Sequence, residues 1–123
     1  MRLAVYGTLR LKNRANEFLK GATFSGETRV PGFDMYNLGG FPGVIPNPDN
    51  KEGVVCEIFE NVDADTLRHL DVYEGYYPTS NRNSNFVRKE IEVEGKPTEL
   101  YVFNHTVDRS WYNPIPSGDW SDR

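Results

Sequence analysis

The chain has 123 residues, of which 37% are hydrophobic and 26% charged, a composition typical of a folded domain and not of a disordered segment. Its formal charge of −4 at pH 7 disfavours nucleic acid as a partner, because phosphate backbones bind to concentrated positive surfaces. The length suits one domain spanning residues 1–123, and no apolar run approaches the ~20 residues that a membrane-spanning helix needs.

Cysteine and histidine content argues against metal and disulfide chemistry. The one cysteine, Cys56, excludes an intrachain disulfide and indicates a reducing compartment, so we expect a cytoplasmic protein without a signal peptide. Its setting in "VVCEIF" favours a buried thiol over a nucleophile. Two histidines at no zinc-site spacing predict no metal, and the absence of G-x-S-x-G and Walker patterns predicts no cofactor.

The first half of the chain is predicted to be mostly extended. "RLAVY" indicates a buried strand that stops at Gly7, and "GTLR" then turns the chain towards a brief helix in "NRANEFLKG". Two strands follow, separated by Pro31 and Gly32. The next stretch, "GGFPGVIPNPDN", predicts a structured loop with little regular structure that forms a cleft wall.

The second half predicts a strand, a helix and a hairpin. "EGVVCEIFE" indicates a central strand, and "VDADTLRHLDVYEG" indicates the clearest helix, with Asp63 as N-cap and Gly75 as left-handed C-terminal cap. Alternation on both sides of "EGKP" predicts a β-hairpin or two neighbouring strands, and the tail "WYNPIPSGDWSDR" is expected to pack back on the body. The fold class is therefore α+β, mostly antiparallel, with one or two helices outside the strands.

Glu74 interrupts an apolar stripe. As a helix, "LRHLDVYEG" places Leu67, Leu70 and Glu74 on one face, whereas we expect Asp71 to be an ordinary surface charge. A carboxyl that faces the core or a cleft has a raised pKa, because burial disfavours its charged form. Two interpretations stay open: Glu74 is a functional acid in a cavity, or the helix ends by Tyr73 and Glu74 faces solvent.

The turn in "VYGTLR" is the second candidate for function. Successive backbone N–H groups of such a turn can bind a carboxylate or phosphate, although a plain strand-ending turn also fits the pattern. The neighbouring cluster "RLKNR" is either a solvated loop or a local attraction for a small anion.

Four motifs in order, "VYGTLR", "GFPGVIP", "EGVVCEIF" and "LDVYEGYYP", resemble the gamma-glutamylcyclotransferase-like superfamily, particularly its gamma-glutamylamine cyclotransferase group. "FVRKEIEV", "LYVF" and "WYNPIPSGDW" fit the same family, so the resemblance covers nearly the whole chain. It implies a small β-barrel with helices packed outside and a cavity at one end. It also implies an enzyme, of transferase or lyase type, that needs no cofactor and releases 5-oxoproline from a small gamma-glutamyl substrate.

The resemblance also assigns the site residues. Glu74 becomes the catalytic acid/base, and Tyr6, Gly7, Thr8 and Leu9 become the substrate-binding loop. Three further tyrosines, Tyr76, Tyr77 and Tyr101, either line the cavity or pack at its rim. The alternatives are a non-catalytic module that binds a small molecule or a protein on the same fold, and a domain that docks partners through the tail from Trp111 to Trp120.

Overall fold

The structure is a computed structural model that describes residues 1–7, 9–10, 14–105 and 112–123. These ranges contain one α-helix, α1 (Ala64–Tyr73), and short 3-10 helices at Arg14–Leu19, Asn81–Asn83 and Trp120–Asp122. They also contain eight strands: β1 (Leu3–Val5), β2 (Thr23–Val30), β3 (Phe33–Asn37), β4 (Pro42–Pro46), β5 (Val54–Glu60), β6 (Phe86–Val93), β7 (Lys96–Phe103) and β8 (Asn113–Pro114).

The strands form two hydrogen-bonded sheets. The larger has the order β2-β5-β1-β7-β6 and the smaller the order β4-β3-β8. Every ladder is antiparallel except the one between β1 and β7, so the predicted α+β class with mostly antiparallel strands is confirmed. The predicted barrel is not confirmed, because in the described part of the chain β2 and β6 remain the two edges of the larger sheet.

The central strand β1 is buried on both faces. Successive side chains of a strand point to opposite faces, so Leu3 and Val5 pack in the cluster that contains Leu67 and Leu70 of α1. Ala4 lies instead in a second cluster with residues of the smaller sheet and the C-terminal tail. This double burial explains the continuous apolar sequence of β1.

Both predicted caps of α1 are confirmed. The Thr66 backbone N–H donates to Asp63 Oδ1 at 2.7 Å. At the other end Gly75 has φ +67°, and the Tyr76 N–H donates to the Asp71 carbonyl at 2.8 Å, which completes a Schellman motif. The helix therefore stops at a fixed point, with Glu74 as its C-cap residue.

The prediction of an irregular loop around residues 39–50 is wrong, because residues 42–46 form strand β4. Its two prolines lack a backbone N–H, which is tolerated because β4 is an edge strand of the smaller sheet and, among the described strands, has a hydrogen-bonded neighbour on one side only. Gly43 allows this strand to pack closely: a Cβ there would lie 2.5 Å from Leu38 Cδ1 and 3.2 Å from Phe103 Cβ.

The C-terminal tail packs on the body, as predicted. Ile115 and Trp120 are buried in the cluster between the two sheets. Asp119 accepts a hydrogen bond from Arg10 Nη1 at 2.8 Å, and Arg10 Nε donates to Glu57 of β5 at 2.9 Å. The tail thus holds the segment that follows β1 against the larger sheet.

Candidate active site

A cavity of about 770 Å³ lies where β1 ends, a size within the range of small-molecule sites. Its wall is drawn from the end of β1 and the turn after it, the start of β4, the last turn of α1, and β6 and β7. The described wall is rich in aromatic residues: Tyr6, Phe41, Tyr73, Tyr77, Phe86, Tyr101, Phe103 and Tyr112. Part of the residue 39–50 segment therefore does form a cleft wall, as predicted.

Glu74 is the one carboxylate among the described residues that line the cavity. Its backbone N–H donates to the Leu70 carbonyl at 2.8 Å, so the helix end fixes where its side chain begins. Burial raises the pKa of the Glu74 carboxyl to about 7, because water no longer solvates the charged form well. No ion pair to Glu74 forms within the described ranges.

The two interpretations of Glu74 each prove correct in one respect. The helix does end at Tyr73, as the solvent-facing interpretation required. Glu74 nevertheless lies half-buried in the cavity wall, as the other interpretation required of its location.

Three of the four predicted substrate-loop residues, Tyr6, Gly7 and Leu9, line the same cavity, and Thr8 lies outside the described residues. The Arg10 N–H donates to the Gly7 carbonyl at 3.0 Å and closes the turn. A Cβ on Gly7 would lie 2.5 Å from the ring of Pro42, so the close approach of this turn to β4 requires glycine. The turn and Glu74, far apart in sequence, are thus brought together.

Tyr6 has a structural function at the cavity wall. Its hydroxyl donates to the Tyr101 carbonyl at 2.6 Å and accepts a hydrogen bond from the backbone of Val44, so it connects β7 and β4. Burial raises the pKa of this hydroxyl, and electrostatic interaction with Glu74, and to a smaller extent with Cys56, raises it further. Tyr6 therefore stays protonated at neutral pH and holds the wall near Glu74.

The prediction that Asp71 is a surface charge is wrong. Asp71 is only 6% exposed, and Arg88 of β6 pairs with both of its oxygens, at 2.9 Å from Nε and 3.2 Å from Nη2. The Tyr101 hydroxyl donates to Asp71 Oδ1 at 2.6 Å, and Arg88 Nη1 donates to Glu99 at 2.7 Å. Asp71 thereby holds the C-terminal end of α1 against the sheet.

A helical pattern could have revealed Asp71. It lies four residues after Leu67 and one after Leu70, a spacing that places all three on one helix face. The partners of Asp71 come from distant strands, and nothing in the helix alone predicts them.

The three tyrosines left open divide between cavity and core. Tyr77 and Tyr101 line the cavity, whereas the partly buried Tyr76 packs against the core with Arg88 above its ring, 5.8 Å from the centroid. Burial, followed by the hydrogen bond to Asp71, raises the pKa of Tyr101.

Two other sequence features have structural explanations. Arg10 is buried between carboxylates and is not part of a solvated loop, while Lys12 and the side chain of Arg14 lie outside the described residues. Cys56 is fully buried, and burial raises the pKa of its thiol to about 12, against a smaller lowering effect of Arg10. The expectation of a buried thiol is confirmed.

The described residues contain no group of three His, Cys, Asp or Glu side chains that could hold a metal ion. No α-helix in those ranges is long and apolar enough to cross a bilayer.

Comparison with known proteins adds independent information. The profile of the family described as gamma-glutamyl cyclotransferase, AIG2-like, matches residues 3–122. The chain is 31% identical over 123 residues to the gamma-glutamylcyclotransferase family protein YtfP of Escherichia coli (strain K12), covering 100% of this chain and 98% of that protein. It is 26% identical over 119 residues to the gamma-L-glutamyl-butirosin B gamma-glutamyl cyclotransferase of Niallia circulans, covering 96% of this chain and 74% of that protein. The crystal structure of an uncharacterised protein from Pyrococcus horikoshii superposes with a TM-score of 0.76 at 25% identity, covering 98% of this chain and 90% of that one.

Proposed function

Because the chain belongs to the gamma-glutamyl cyclotransferase, AIG2-like family, we propose that it converts a gamma-glutamyl amine or peptide into 5-oxoproline and a free amine. Glu74 is the proposed acid/base, and Tyr6, Gly7, Thr8 and Leu9 form the proposed substrate loop. The observation that carries the proposal is the position of Glu74: a carboxyl with a pKa of about 7 lies in an aromatic cavity beside that loop.

The reaction needs little more than folding of the substrate and proton transfer. The α-nitrogen of a gamma-glutamyl compound attacks its own γ-carbonyl carbon, a five-membered lactam forms, and the amide bond to the leaving nitrogen breaks. Nucleophile and electrophile share one molecule, so the entropic cost of bringing them together is small once the cavity holds the substrate in a folded conformation. We therefore propose a one-domain enzyme that uses no metal and no cofactor.

Protons move between the same two nitrogen atoms. The α-nitrogen enters as an ammonium and ends as a lactam N–H, while the leaving nitrogen departs as an ammonium, so two protons pass from one nitrogen to the other. A carboxyl whose pKa is close to the ambient pH takes up and releases each proton with little cost. The pKa of about 7 at Glu74 suits this function.

The test is release of 5-oxoproline from a panel of gamma-glutamyl amines and dipeptides, with the wild-type and Glu74→Gln proteins side by side. We expect turnover by the wild type and none by the variant, whose side chain keeps the shape but cannot accept a proton. Circular dichroism of both proteins controls for folding. Turnover by a folded Glu74→Gln protein would contradict the role of Glu74. Binding without turnover by the wild type would instead support the non-catalytic binding module.

A further inference from the structure

The cavity has a buried floor and an exposed apolar mouth. Lining residues from the larger sheet, such as Val5, Phe86 and Tyr101, are buried and form the floor. Four apolar or aromatic lining residues are instead exposed, by 45 to 77%: Phe41, Val72, Tyr73 and Tyr77. Exposed lining residues lie where a cavity meets solvent, so these four residues form the entrance of the cavity, the aromatic mouth.

The aromatic mouth is a group and not a set of isolated side chains. Val72 and Tyr73 are adjacent in the last turn of α1, and the half-exposed Phe18 extends the apolar surface, with its ring 5.1 Å from that of Tyr73. Single exposed hydrophobic residues are normal on protein surfaces, but a group of them around a cavity marks a binding surface.

Charge is nearly absent from the described part of the lining. Glu74 is its one carboxylate and no Lys or Arg lines the cavity among the residues described; the basic side chain in that lining is the imidazole of His105, which lies 3.4 Å from the Asn85 side-chain oxygen. A leaving amine whose side chain carries a further charge would lose part of its hydration against these apolar groups without gaining an ion pair from the described lining, and that loss is unfavourable. Neutral apolar groups do not have this cost.

We propose that the leaving amine of the substrate carries an uncharged apolar or aromatic side chain that packs on the aromatic mouth. The inference rests on the proposed function, since it places the glutamyl group beside Glu74 and the turn after β1. The leaving nitrogen is bonded to the reacting carbonyl, so its side chain continues from Glu74 towards solvent. Glu74 is next to the mouth in sequence and half-buried, between floor and surface.

Aromatic rings also hold cations, so an ammonium-bearing amine is the main competing occupant. A carboxylate beside the rings would strengthen the binding of such an amine, because it adds an ion pair to the attraction of the rings. Within the described lining Glu74 is the one candidate, and the proposed reaction uses it for the α-nitrogen. The surface therefore fits a neutral amine better than a diamine.

The experiment compares kcat/KM for gamma-glutamyl amides of methylamine, butylamine and phenethylamine, with two charged analogues of the butylamide that end in an ammonium or a carboxylate. We expect kcat/KM to rise about 10-fold from the methylamide to the phenethylamide, the size of effect that small apolar groups have in enzyme pockets. Both charged analogues should fall below the butylamide.

Two variants connect the preference to the mouth. Tyr77→Ser should lower the phenethylamide-to-methylamide ratio about threefold, because an aromatic contact is lost. Phe24→Ser is the matched control: Phe24 is 44% exposed, against 53% for Tyr77, but it does not line the cavity, so the ratio should be that of the wild type.

Equilibrium binding of the same amides to the Glu74→Gln protein separates this inference from the proposed function. If the wild type turns over the amides but kcat/KM does not rise along the apolar series, the aromatic mouth is not the subsite and the reaction is unaffected. The same conclusion follows if the ammonium or carboxylate analogue is preferred. Absence of turnover, with binding that still strengthens from methylamide to phenethylamide, overturns the reaction and supports the subsite. Absence of both overturns both.

Discussion

Glu74→Gln should change how the stability of the protein depends on pH. In the folded protein the Glu74 carboxyl has a pKa of about 7, against 4.5 for an ordinary glutamate. The folded state therefore holds this proton more tightly than the unfolded state between pH 4.5 and 7. The free energy of unfolding contributed by this group falls as pH rises through that interval and is constant above it.

The size of the effect follows from the two pKa values. Their difference corresponds to roughly 3 kcal/mol of lost stability above pH 7, an upper value because the half-buried side chain keeps some contact with water. Glutamine carries no charge at any pH, so the variant avoids this loss. We expect the difference in melting temperature between variant and wild type to grow by roughly 10 °C from pH 4 to pH 8.

Thermal unfolding followed by circular dichroism at a series of pH values measures this difference. Glu52→Gln is the control, because Glu52 is exposed and does not line the cavity, and its difference from the wild type should stay nearly flat. A flat difference for Glu74→Gln as well would mean that Glu74 titrates like a solvated glutamate. The physical basis for proton exchange at neutral pH would then be lost.

Three further predictions concern activity, the helix anchor and the turn. The kcat/KM of the proposed reaction should rise with pH through an apparent pKa of about 7, because Glu74 must be ionised to accept a proton. A plot of kcat/KM against pH without this rise would exclude Glu74 as the base. Asp71→Asn should lower the free energy of unfolding in urea by about 2–3 kcal/mol, because it leaves a partly buried arginine without one of its carboxylates. The control, Asp65→Asn on the exposed side of the helix, should lower it by less than about 0.5 kcal/mol, and equal losses would show that the buried pair adds no stability. Gly7→Ala should lower the free energy of unfolding by about 1–3 kcal/mol in the same assay, since its Cβ would lie 2.5 Å from a proline ring. A Cβ at Gly21 meets nothing within 4 Å, so Gly21→Ala should be nearly neutral, and equal losses of stability for the two variants would contradict the close packing of the turn.

Local chemistry predicted the parts of the fold that are determined locally. The limits of α1 follow from Asp63 at one end and the φ of +67° at Gly75 at the other. The hairpin between β6 and β7 turns at Glu94 and Gly95, which have φ values of 54° and 77°, the left-handed pair that a two-residue hairpin requires. The helix pattern singled out Glu74 as an acid on an apolar face but left open whether it faces a cavity or solvent, and the family resemblance was needed to favour the cavity.

Features that depend on distant partners were not predictable in this way. Strand β4 contains two prolines and a glycine, and it forms because β3 supplies a ladder and β7 supplies a packing surface that Gly43 allows it to approach. Asp71 is buried because Arg88 and Tyr101 reach it from two other strands. Local propensity opposes the strand. The helical spacing of Asp71 indicates the face on which it lies, but not the distant partners that allow a carboxylate to be buried there.

The two acids at the end of α1 differ in what surrounds them, and that difference has a function in the proposed mechanism. Asp71 receives a two-point pair from Arg88 and the hydroxyl of Tyr101, whereas Glu74, three residues later, has no ion pair in the described structure. If Arg88 reached Glu74 instead, its charge would stabilise the carboxylate and lower the pKa well below neutral. The same contact that fixes the helix end therefore also keeps the nearby cation away from the proposed acid/base. The ring of Tyr101, whose hydroxyl is held by Asp71, lines the same cavity as Glu74. The Asp71–Arg88 pair therefore positions the cavity wall and also leaves Glu74 able to exchange its proton near pH 7.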